Sequence, residues 1–188
     1  MLPHVMCKHA SMSTALTAQP AILQTATLDS PVGEITVALR GAELCALRFA
    51  GSRTSVWQSL ARRFGPDAEF HQAAPHHPVI EALRAYFAGD LAALDAIAVD
   101  PGGTAFQQRV WRELRRIPAG RTASYAEVAG RIGAPKAVRA VARANATNPA
   151  GIVIPCHRVI GADGALRGYG GGLDRKAWLL AHERAALT

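Results

Sequence analysis

Three side chains that can do chemistry together are adjacent at Cys156-His157-Arg158, inside the segment Pro155–Val159. A thiolate, and not a thiol, attacks electrophiles, and cationic neighbours such as imidazolium or guanidinium lower the pKa of a thiol. The segment follows Ile152-Val153-Ile154, a short apolar run that predicts a buried strand. The sequence therefore predicts a nucleophilic cysteine held at the end of a strand.

A nucleophilic thiol needs a base, and His157 is the nearest candidate in the sequence. An unperturbed thiol is only a few per cent thiolate near neutral pH. Neighbouring side chains of an extended segment point in opposite directions, so His157 has to reach the thiol through a local turn or a bridging water. Glu183 is the candidate carboxylate that orients the imidazole, although composition alone favours a solvated surface glutamate there. Hydrolases, isopeptidases and alkyl-transfer proteins share such a set, so it leaves the reaction open.

The positive charge of the chain is concentrated in the half that contains Cys156. The net charge is +7, with residues 1–95 contributing −1 and residues 96–188 contributing +8. This asymmetry favours an anionic partner, and nucleic acid is the first candidate. The alternative is a GC-rich genome that supplies arginine to solvated surfaces. A cysteine protease would not need such an excess of positive charge around its site.

The three cysteines, Cys7, Cys45 and Cys156, form no disulfide framework, and a reducing cytosol is their natural compartment. Cys156 and His157 have no second Cys or His at zinc spacing nearby, so we expect no metal and no cofactor. No apolar stretch approaches the length needed to cross a bilayer, and the first twenty residues make a poor signal peptide. We therefore expect a cytoplasmic protein without a membrane partner.

The pattern of elements predicts an α+β protein of two domains. We expect a flexible tail at 1–20, an amino-terminal α/β domain at 21–95, a linker at 96–103 and a mostly helical domain at 104–188. The first domain is predicted to be a small antiparallel sheet with helices packed on it, and it contains no convincing catalytic cluster. Its predicted elements are Ile22–Leu28, Glu34–Leu39, Leu44–Phe49, Thr54–Phe64 and Pro78–Ala88.

The second domain is predicted to contain a helix-turn-helix. The turn Gly133-Ala134-Pro135 separates a short helix from an alanine-rich one that presents Lys136, Arg139 and Arg143. A slim helix of this kind can approach a DNA groove closely. An alanine-rich core helix is the alternative, since such turns also occur in proteins that do not bind DNA. The predicted helices are Thr104–Ile117, Tyr125–Arg131, Lys136–Ala146 and Asp174–Leu187.

The segment Pro155–Val159 resembles the active-site signature of the O6-alkylguanine-DNA alkyltransferases, also called methylated-DNA–protein-cysteine methyltransferases. The resemblance extends in order and spacing over roughly residues 22 to 185. It implies a winged-helix-like DNA-binding catalytic domain at 104–188 and direct-reversal repair of O6-alkylguanine, with O4-alkylthymine as a second candidate lesion. The further motifs are Thr27–Gly33, Ser124-Tyr125, Arg139-Ala140-Val141, Asn148-Pro149, Tyr169 with its glycines, and Lys176–Glu183.

The resemblance also implies a role for each matching residue. Cys156 is then the irreversible alkyl acceptor, used once per molecule, with His157 as its base through a water and Glu183 as the orienting carboxylate. Tyr125 helps to rotate the target nucleotide and protonates guanine N3, and Arg139 fills the space that the flipped base leaves. The remaining implied positions are Lys136, Arg143, Ala140 and Asn145 on DNA, and Asn148, Val159, Tyr169, Gly170 and Lys176 in the pocket or its supports.

The chain departs from the family pattern at Gly170, where many relatives carry a serine, and it lacks the zinc ligands of some members. Two other functions are open. A non-enzymatic relative that binds alkylated DNA would have replaced Cys156, and a transcription regulator would not need a thiol there. We expect double-stranded DNA bearing O6-alkylguanine as the partner and a monomer in solution, with cooperative assembly on DNA left open.

Overall fold

The computed structural model describes residues 20–51 and 56–187. Almost all of the predicted tail at 1–20 lies outside the described residues, as do Cys7 and the predicted helix start at Thr54. Within the described ranges, no helix is long and apolar enough to cross a membrane. No three His, Cys, Asp or Glu side chains in those ranges gather as metal ligands.

The amino-terminal sheet has the order β3-β2-β1-β4. Strands β1 (Ile22–Leu28), β2 (Ile35–Arg40) and β3 (Glu43–Phe49) pair antiparallel, as predicted. The fourth strand, β4 (Glu69–Gln72), pairs parallel with β1 and makes the sheet mixed. All four side chains of β4 are exposed, so its sequence carries no alternation of apolar and polar residues that would have predicted a strand.

Helices cover both faces of this sheet. Helix α1 (Val56–Phe64) packs Val56 and Leu60 over one face, and α2 (Pro78–Phe87) packs on the other. The side chain of His77 accepts a hydrogen bond from the Val79 amide and so caps the start of α2. Because both faces are covered, β2 and β3 are buried almost along their whole length.

The segment predicted as a linker, 96–103, runs along the outer edge of β3. The Leu44 amide donates to the Ala98 carbonyl, and the Asp100 amide donates to the Leu44 carbonyl. Arg40 and Arg63 both donate to Asp100. These bonds hold the segment in place on the edge of the sheet.

The carboxy-terminal half contains α3 (Ala105–Leu114), α4 (Tyr125–Arg131), α5 (Val138–Ala146) and α6 (Leu173–Ala185). Helices α3 and α4 each begin with a reciprocal capping box, which fixes where they start. Helix α5 begins at Val138, two residues later than predicted, because Ala137 still belongs to the turn that follows Gly133. The helix-turn-helix of α4 and α5 is present, and both helices contact α3. The predicted α+β organisation is confirmed.

The predicted strand at Ile152–Ile154 is wrong. These residues form a tight turn in which Ile152 has a φ of 67°, although all three side chains are buried. The side chain of Asn148 replaces a neighbouring strand, because its Nδ2 donates to the Ile154 carbonyl at 2.7 Å and its Oδ1 accepts from the Ala150 amide at 3.0 Å. An apolar run indicates only that its side chains are buried. A side-chain amide is able to pair with the backbone N–H and C=O groups of a turn, as a neighbouring strand would.

The two halves share one hydrophobic core. Val37 and Leu47 of the sheet belong to the same buried cluster as Val110 of α3 and Ile154 of the turn before Cys156. Leu47 and Ala150 form an isolated parallel bridge in which the Leu47 amide donates to the Pro149 carbonyl at 2.9 Å. The end of β3 therefore lies directly against the loop that leads to the cysteine.

Candidate active site

Cys156 begins a single turn of 3-10 helix, Cys156–Arg158. Cys156 is only 6% exposed. The Cys156 amide donates to the Ile154 carbonyl at 2.7 Å, and the Arg158 amide donates to the Pro155 carbonyl at 3.0 Å. The sequence required a local turn here, because the side chains of Cys156 and His157 would point in opposite directions from an extended segment. The 3-10 turn removes that opposed orientation.

A buried network surrounds Glu183 of α6, which is 0% exposed. Its Oε1 lies 2.8 Å from His157 Nε2 and 2.8 Å from Arg158 Nη2. Tyr86 donates its hydroxyl to Oε1 at 3.0 Å, and the Gly120 amide donates to Oε2 at 3.0 Å. Glu183 is therefore a fully bonded buried carboxylate, and a solvated surface position is excluded.

The charges of this network are set by burial and by the pairing with Glu183. Burial alone would raise the pKa of Glu183, but the hydrogen bonds from His157 and Arg158 and the positive charge of Arg158 outweigh it and hold that pKa well below its usual range. Burial lowers the pKa of His157 more than Glu183 raises it, so the imidazole is neutral. A neutral imidazole that donates through Nε2 to Glu183 leaves a lone pair on Nδ1, which has no partner among the described residues.

The expectation that cationic neighbours lower the thiol pKa is wrong for the resting protein. Burial raises the pKa of Cys156, and the smaller opposing effects come from a hydrogen bond of Asn148 and from the charges of Lys176 and Arg48. The Arg158 guanidinium, two residues further along the chain, is paired with Glu183. The resting nucleophile is thus a protonated thiol that has to lose its proton during the reaction.

Supporting contacts hold the loop that carries Cys156. Asn148 bonds to the Ile154 carbonyl, as described above. Lys176 of α6 is completely buried and donates to the carbonyls of Val159 at 2.6 Å and Arg167 at 2.8 Å. These contacts give Asn148, Val159 and Lys176 structural positions next to the thiol.

A short parallel ladder places Tyr125 beside the cysteine segment. Strand β5 (Ala123–Ser124) pairs with β6 (Val159–Ile160), and Tyr125 is the first residue of α4 directly after β5. Tyr125 is half-buried, and burial together with the nearby Cys156 raises the pKa of its hydroxyl. The phenol is therefore protonated at neutral pH and is able to donate a proton or a hydrogen bond.

Two site residues come from the amino-terminal half, where the sequence indicated no catalytic cluster. Tyr86 of α2 reaches Glu183, and Arg48 of β3 donates through Nη1 to the carbonyls of Asn148 at 2.7 Å and Pro149 at 3.0 Å. The sequence signal for Arg48 is a charge within the apolar run Leu44–Phe49 of β3. Tyr86 gives no such signal, because it follows the apolar pattern of a core helix.

An open cavity of about 710 Å³ leads to Cys156. It lies between the end of β3, the end of α5 and the glycine-rich loop that follows β6. Tyr169 and Gly170, which the resemblance places in the pocket, line its wall, and Tyr125 and Val159 do not. Its lining residues are Leu47, Arg48, Phe49, Gly51, Asn145, Ala146, Asn148, Gly151, Cys156, Gly168, Tyr169, Gly170, Gly171, Gly172 and Arg175.

The surface of the helix-turn-helix carries four of the five residues expected to touch DNA. Lys136, Arg139, Ala140 and Arg143 are exposed. Asn145 is the exception, because it is only 3% exposed and its Nδ2 lies 3.5 Å from the Cys156 carbonyl. Its expected place on DNA is wrong, since the helical turn directs it into the protein against the cysteine loop.

The pKa shifts of the buried groups predict that the free energy of unfolding is highest near neutral pH and decreases both in acid and in alkali. His157 and Glu183 have pKa values below their ordinary values of 6.5 and 4.5, so the unfolded chain binds more protons and stability falls as the pH drops through 6.5 and again through 4.5. Cys156 and Tyr169 have pKa values above their ordinary values of 9.0 and 10.0, so their contributions to stability are complete below those values and are lost as the pH rises through them. We expect urea unfolding to show a loss of up to about 1.4 kcal/mol per pH unit just below 6.5. That loss should vanish in His157→Gln, and its persistence there would contradict the assignment.

Comparisons with known proteins agree with this architecture. A sequence profile described as "6-O-methylguanine DNA methyltransferase, ribonuclease-like domain" matches residues 23–101, and the profile of the "DNA binding domain" of the same methyltransferase matches residues 105–185. A methylated-DNA–protein-cysteine methyltransferase of Mycolicibacterium paratuberculosis is 50% identical over 163 residues, which cover 84% of this chain and 90% of that protein. One from Shigella flexneri is 52% identical over 140 residues, covering 70% of this chain and 82% of its own length.

Solved structures give the same result. The crystal structure of Mycobacterium tuberculosis OGT in complex with DNA superposes with a TM-score of 0.72 at 41% identity, covering 88% of this chain and 94% of that one. The methyltransferase of Pyrococcus kodakaraensis, at 22% identity and a TM-score of 0.66, supports the fold alone. Family profiles match both halves of the chain, and half of the aligned residues are identical to those of a relative that is covered over 90% of its length. This chain therefore belongs to the 6-O-methylguanine DNA methyltransferase family.

Proposed function

We propose that this protein repairs O6-alkylguanine in double-stranded DNA by transferring the alkyl group to Cys156, once per molecule. The observation that carries the proposal is the buried thiol of Cys156 next to a neutral His157 whose second nitrogen is held by a buried carboxylate. A thioether forms in the transfer, and no group around Cys156 is able to cleave it. The protein is therefore consumed by the reaction.

The first chemical step is removal of the thiol proton. His157 takes it on Nδ1 through a water, because Nε2 already donates to Glu183. Glu183 then stabilises the imidazolium that forms, as a carboxylate does in other nucleophile–histidine pairs. The raised pKa of Cys156 means that the thiol keeps its proton until His157 accepts it in this step.

The second step is departure of guanine. The sulfur bonds to the alkyl carbon as the bond from that carbon to O6 breaks, and the electron pair of that bond moves into the guanine ring. Tyr125 donates a proton to N3, which makes guanine a neutral leaving group. The raised pKa of Tyr125 keeps its hydroxyl protonated until then, and a return of the proton from His157 to Tyr125 restores both residues.

DNA has to present the lesion outside the base stack. The alkyl group of a paired base lies inside the duplex, so the nucleotide is extruded at a cost of a few kcal/mol, which is lowest for a poorly paired lesion. We assign the docking surface to α5 and the turn before it, with Lys136 and Arg143 on phosphates, Ala140 allowing close approach and Arg139 filling the vacated space. All four residues are exposed.

Replacing Arg139 by alanine should slow repair in duplex DNA by about tenfold to a hundredfold, because the flipped state loses the group that fills its gap. Repair of the same O6-methylguanine in a single strand, where no partner base is left behind, should slow much less. Single-turnover rates on both substrates measure the difference. Arg84→Ala, on the exposed face of α2, controls for the loss of one charge. Equal slowing on duplex and single strand would contradict the filling role.

Binding and repair are separable at Cys156. We expect Cys156→Ala to bind a duplex that contains O6-methylguanine as tightly as the unaltered protein does, and to leave the methyl group on the DNA. Gel-shift titration and base analysis of the recovered DNA measure both properties. A variant that still removes the methyl group would show that another residue is the acceptor.

A further inference from the structure

A buried tyrosine of the amino-terminal half binds the carboxylate that orients His157. Tyr86 of α2 is 0% exposed, and its hydroxyl donates to Glu183 Oε1 at 3.0 Å. Burial and the nearby carboxylate raise the pKa of Tyr86, so the hydroxyl stays protonated and remains a donor. A phenylalanine would fill the same space without a polar group that needs a partner. The distinctive contribution of Tyr86 is therefore its bond to Glu183.

Contacts between α2 and α6 hold this hydroxyl in place. His182 of α6 donates through Nε2 to the Tyr86 carbonyl at 2.8 Å. The rings of Phe87 and His182 each meet the Tyr86 ring edge-on, with centroids 5.3 Å apart, which is a favoured arrangement of aromatic rings. Because backbone and ring contacts both fix Tyr86, its hydroxyl is directed at the residue that follows His182 in α6.

The oxygen that Tyr86 binds is the same one that holds the histidine. Glu183 Oε1 accepts from His157 Nε2 at 2.8 Å. It also accepts from Arg158 Nη2 at 2.8 Å and from the Tyr86 hydroxyl. A carboxylate oxygen has about two lone pairs, so these donors share its negative charge. Each of them weakens the attraction of the carboxylate for a proton on His157.

A general base has to be unprotonated before it reacts, and a close carboxylate opposes this because it stabilises the imidazolium. Burial lowers the pKa of His157, and the hydrogen bond and charge of Glu183 oppose that effect. A donor that draws negative charge from Glu183 therefore acts in the same direction as burial. The titratable groups around the pair are Tyr86 of α2, Cys156 and Arg158 of the 3-10 turn, Tyr169 of the glycine-rich loop and Lys176 of α6.

We propose that Tyr86 is a positioning residue for the alkyl transfer, and that by sharing Oε1 of Glu183 it keeps His157 unprotonated as the solution becomes more acidic. Tyr86 acts through Glu183 and has no contact with the reacting atoms in this scheme. The amino-terminal half of the chain then contributes directly to the reaction through one hydroxyl. The inference rests on the proposed function, because it concerns the base that serves Cys156.

The test removes the hydroxyl in Tyr86→Phe and follows His157 in two ways. The first is an NMR titration of protein with labelled histidines, in which the His157 signal is identified by its absence from His157→Gln. The second is the single-turnover rate of methyl transfer from duplex O6-methylguanine between pH 5.5 and 8. Phe87→Leu disturbs the same contact of α2 with α6 but keeps the hydroxyl, so it is the matched control.

We expect Tyr86→Phe to raise the titration midpoint of His157 by about 0.5–1 pH unit, and to move the acid side of the rate profile by the same amount. Transfer should then be about threefold to tenfold slower at the acid end and within about twofold of the unaltered protein at pH 8. Tyr86→Met also lacks the hydroxyl and fills a core well, so it should give the same shift. Phe87→Leu should leave the midpoint unchanged.

Equal slowing of Tyr86→Phe at every pH, or an unmoved His157 midpoint, would show that the hydroxyl only supports packing and would overturn the inference. The same shift in Phe87→Leu would overturn it as well, because packing would then be the cause. If the unaltered protein did not methylate Cys156, the proposed function would fail together with the role of Tyr86. Normal methylation with an unmoved midpoint would overturn the role of Tyr86 alone, so the two failures are distinguishable.

Discussion

Glu183→Gln is expected to lower the free energy of unfolding by about 3–5 kcal/mol, the largest stability effect that we predict for a single substitution. Glutamine has nearly the shape of glutamate, so no cavity forms. The loss comes from charge, because Arg158 would remain buried without its counterion, and an unpaired buried charge is far more costly than a missing contact. Urea denaturation at pH 7.5 measures the change.

Glu81→Gln is the matched control for this substitution. Glu81 pairs with Arg84 on the exposed face of α2, and exposed ion pairs contribute only about 0–1 kcal/mol. The control should therefore unfold almost like the unaltered protein. A loss below about 1 kcal/mol in Glu183→Gln would mean that Arg158 finds another counterion or solvent, and would contradict the network described here.

His157→Gln is expected to slow alkyl transfer at pH 7.5 by about 100-fold to 10,000-fold, the range that a positioned general base contributes. The glutamine amide is able to donate to Glu183 as Nε2 does, but it supplies no base in place of Nδ1. The thiol would then depend on hydroxide in solution. Because burial raises the pKa of Cys156, the variant should regain activity steadily as the pH rises towards 9 and beyond.

The pH dependence separates a base from a merely structural histidine. If His157 only held the loop in shape, the variant would be slowed by the same factor at every pH at which it is folded. His76→Gln, a substitution of a highly exposed histidine, is the control for a change of residue type. Single-turnover rates from pH 6.5 to 9 on a duplex with O6-methylguanine provide the profile.

The parts of the fold that local chemistry determines were predictable from the sequence. Thr104 and Ser124 begin capping boxes, and α3 and α4 start where those residues indicate. The hydrogen bond between His157 and Glu183 was also predicted, from the resemblance together with the need of an imidazole for an orienting carboxylate. Helix caps and catalytic residues carry their signal in residue type and spacing, so one sequence suffices to find them.

The parts that depend on specific tertiary contacts and on burial were not predictable. Ile152 has the composition of a strand residue, yet Asn148 stabilises a turn there through bonds that no local pattern encodes. The predicted direction of the Cys156 pKa was wrong because burial of the thiol outweighs the cations near it, and because Arg158 is paired with Glu183 of α6. Arg48 and Tyr86 reach the site from the other half of the chain. Side-chain bonds and burial that a pattern of apolar and polar residues does not encode decided each of these cases.

The central claim is that Cys156 is a single-use alkyl acceptor, and the mass of the peptide that contains Cys156 tests it most directly. The protein is incubated with an excess of duplex DNA that carries O6-methylguanine and is then digested with trypsin. We predict one methyl group on every Cys156, none on Cys45, and removal of one methyl group from DNA per protein molecule however large the excess. An unmodified Cys156 peptide, or more than one lesion repaired per molecule, would contradict the account.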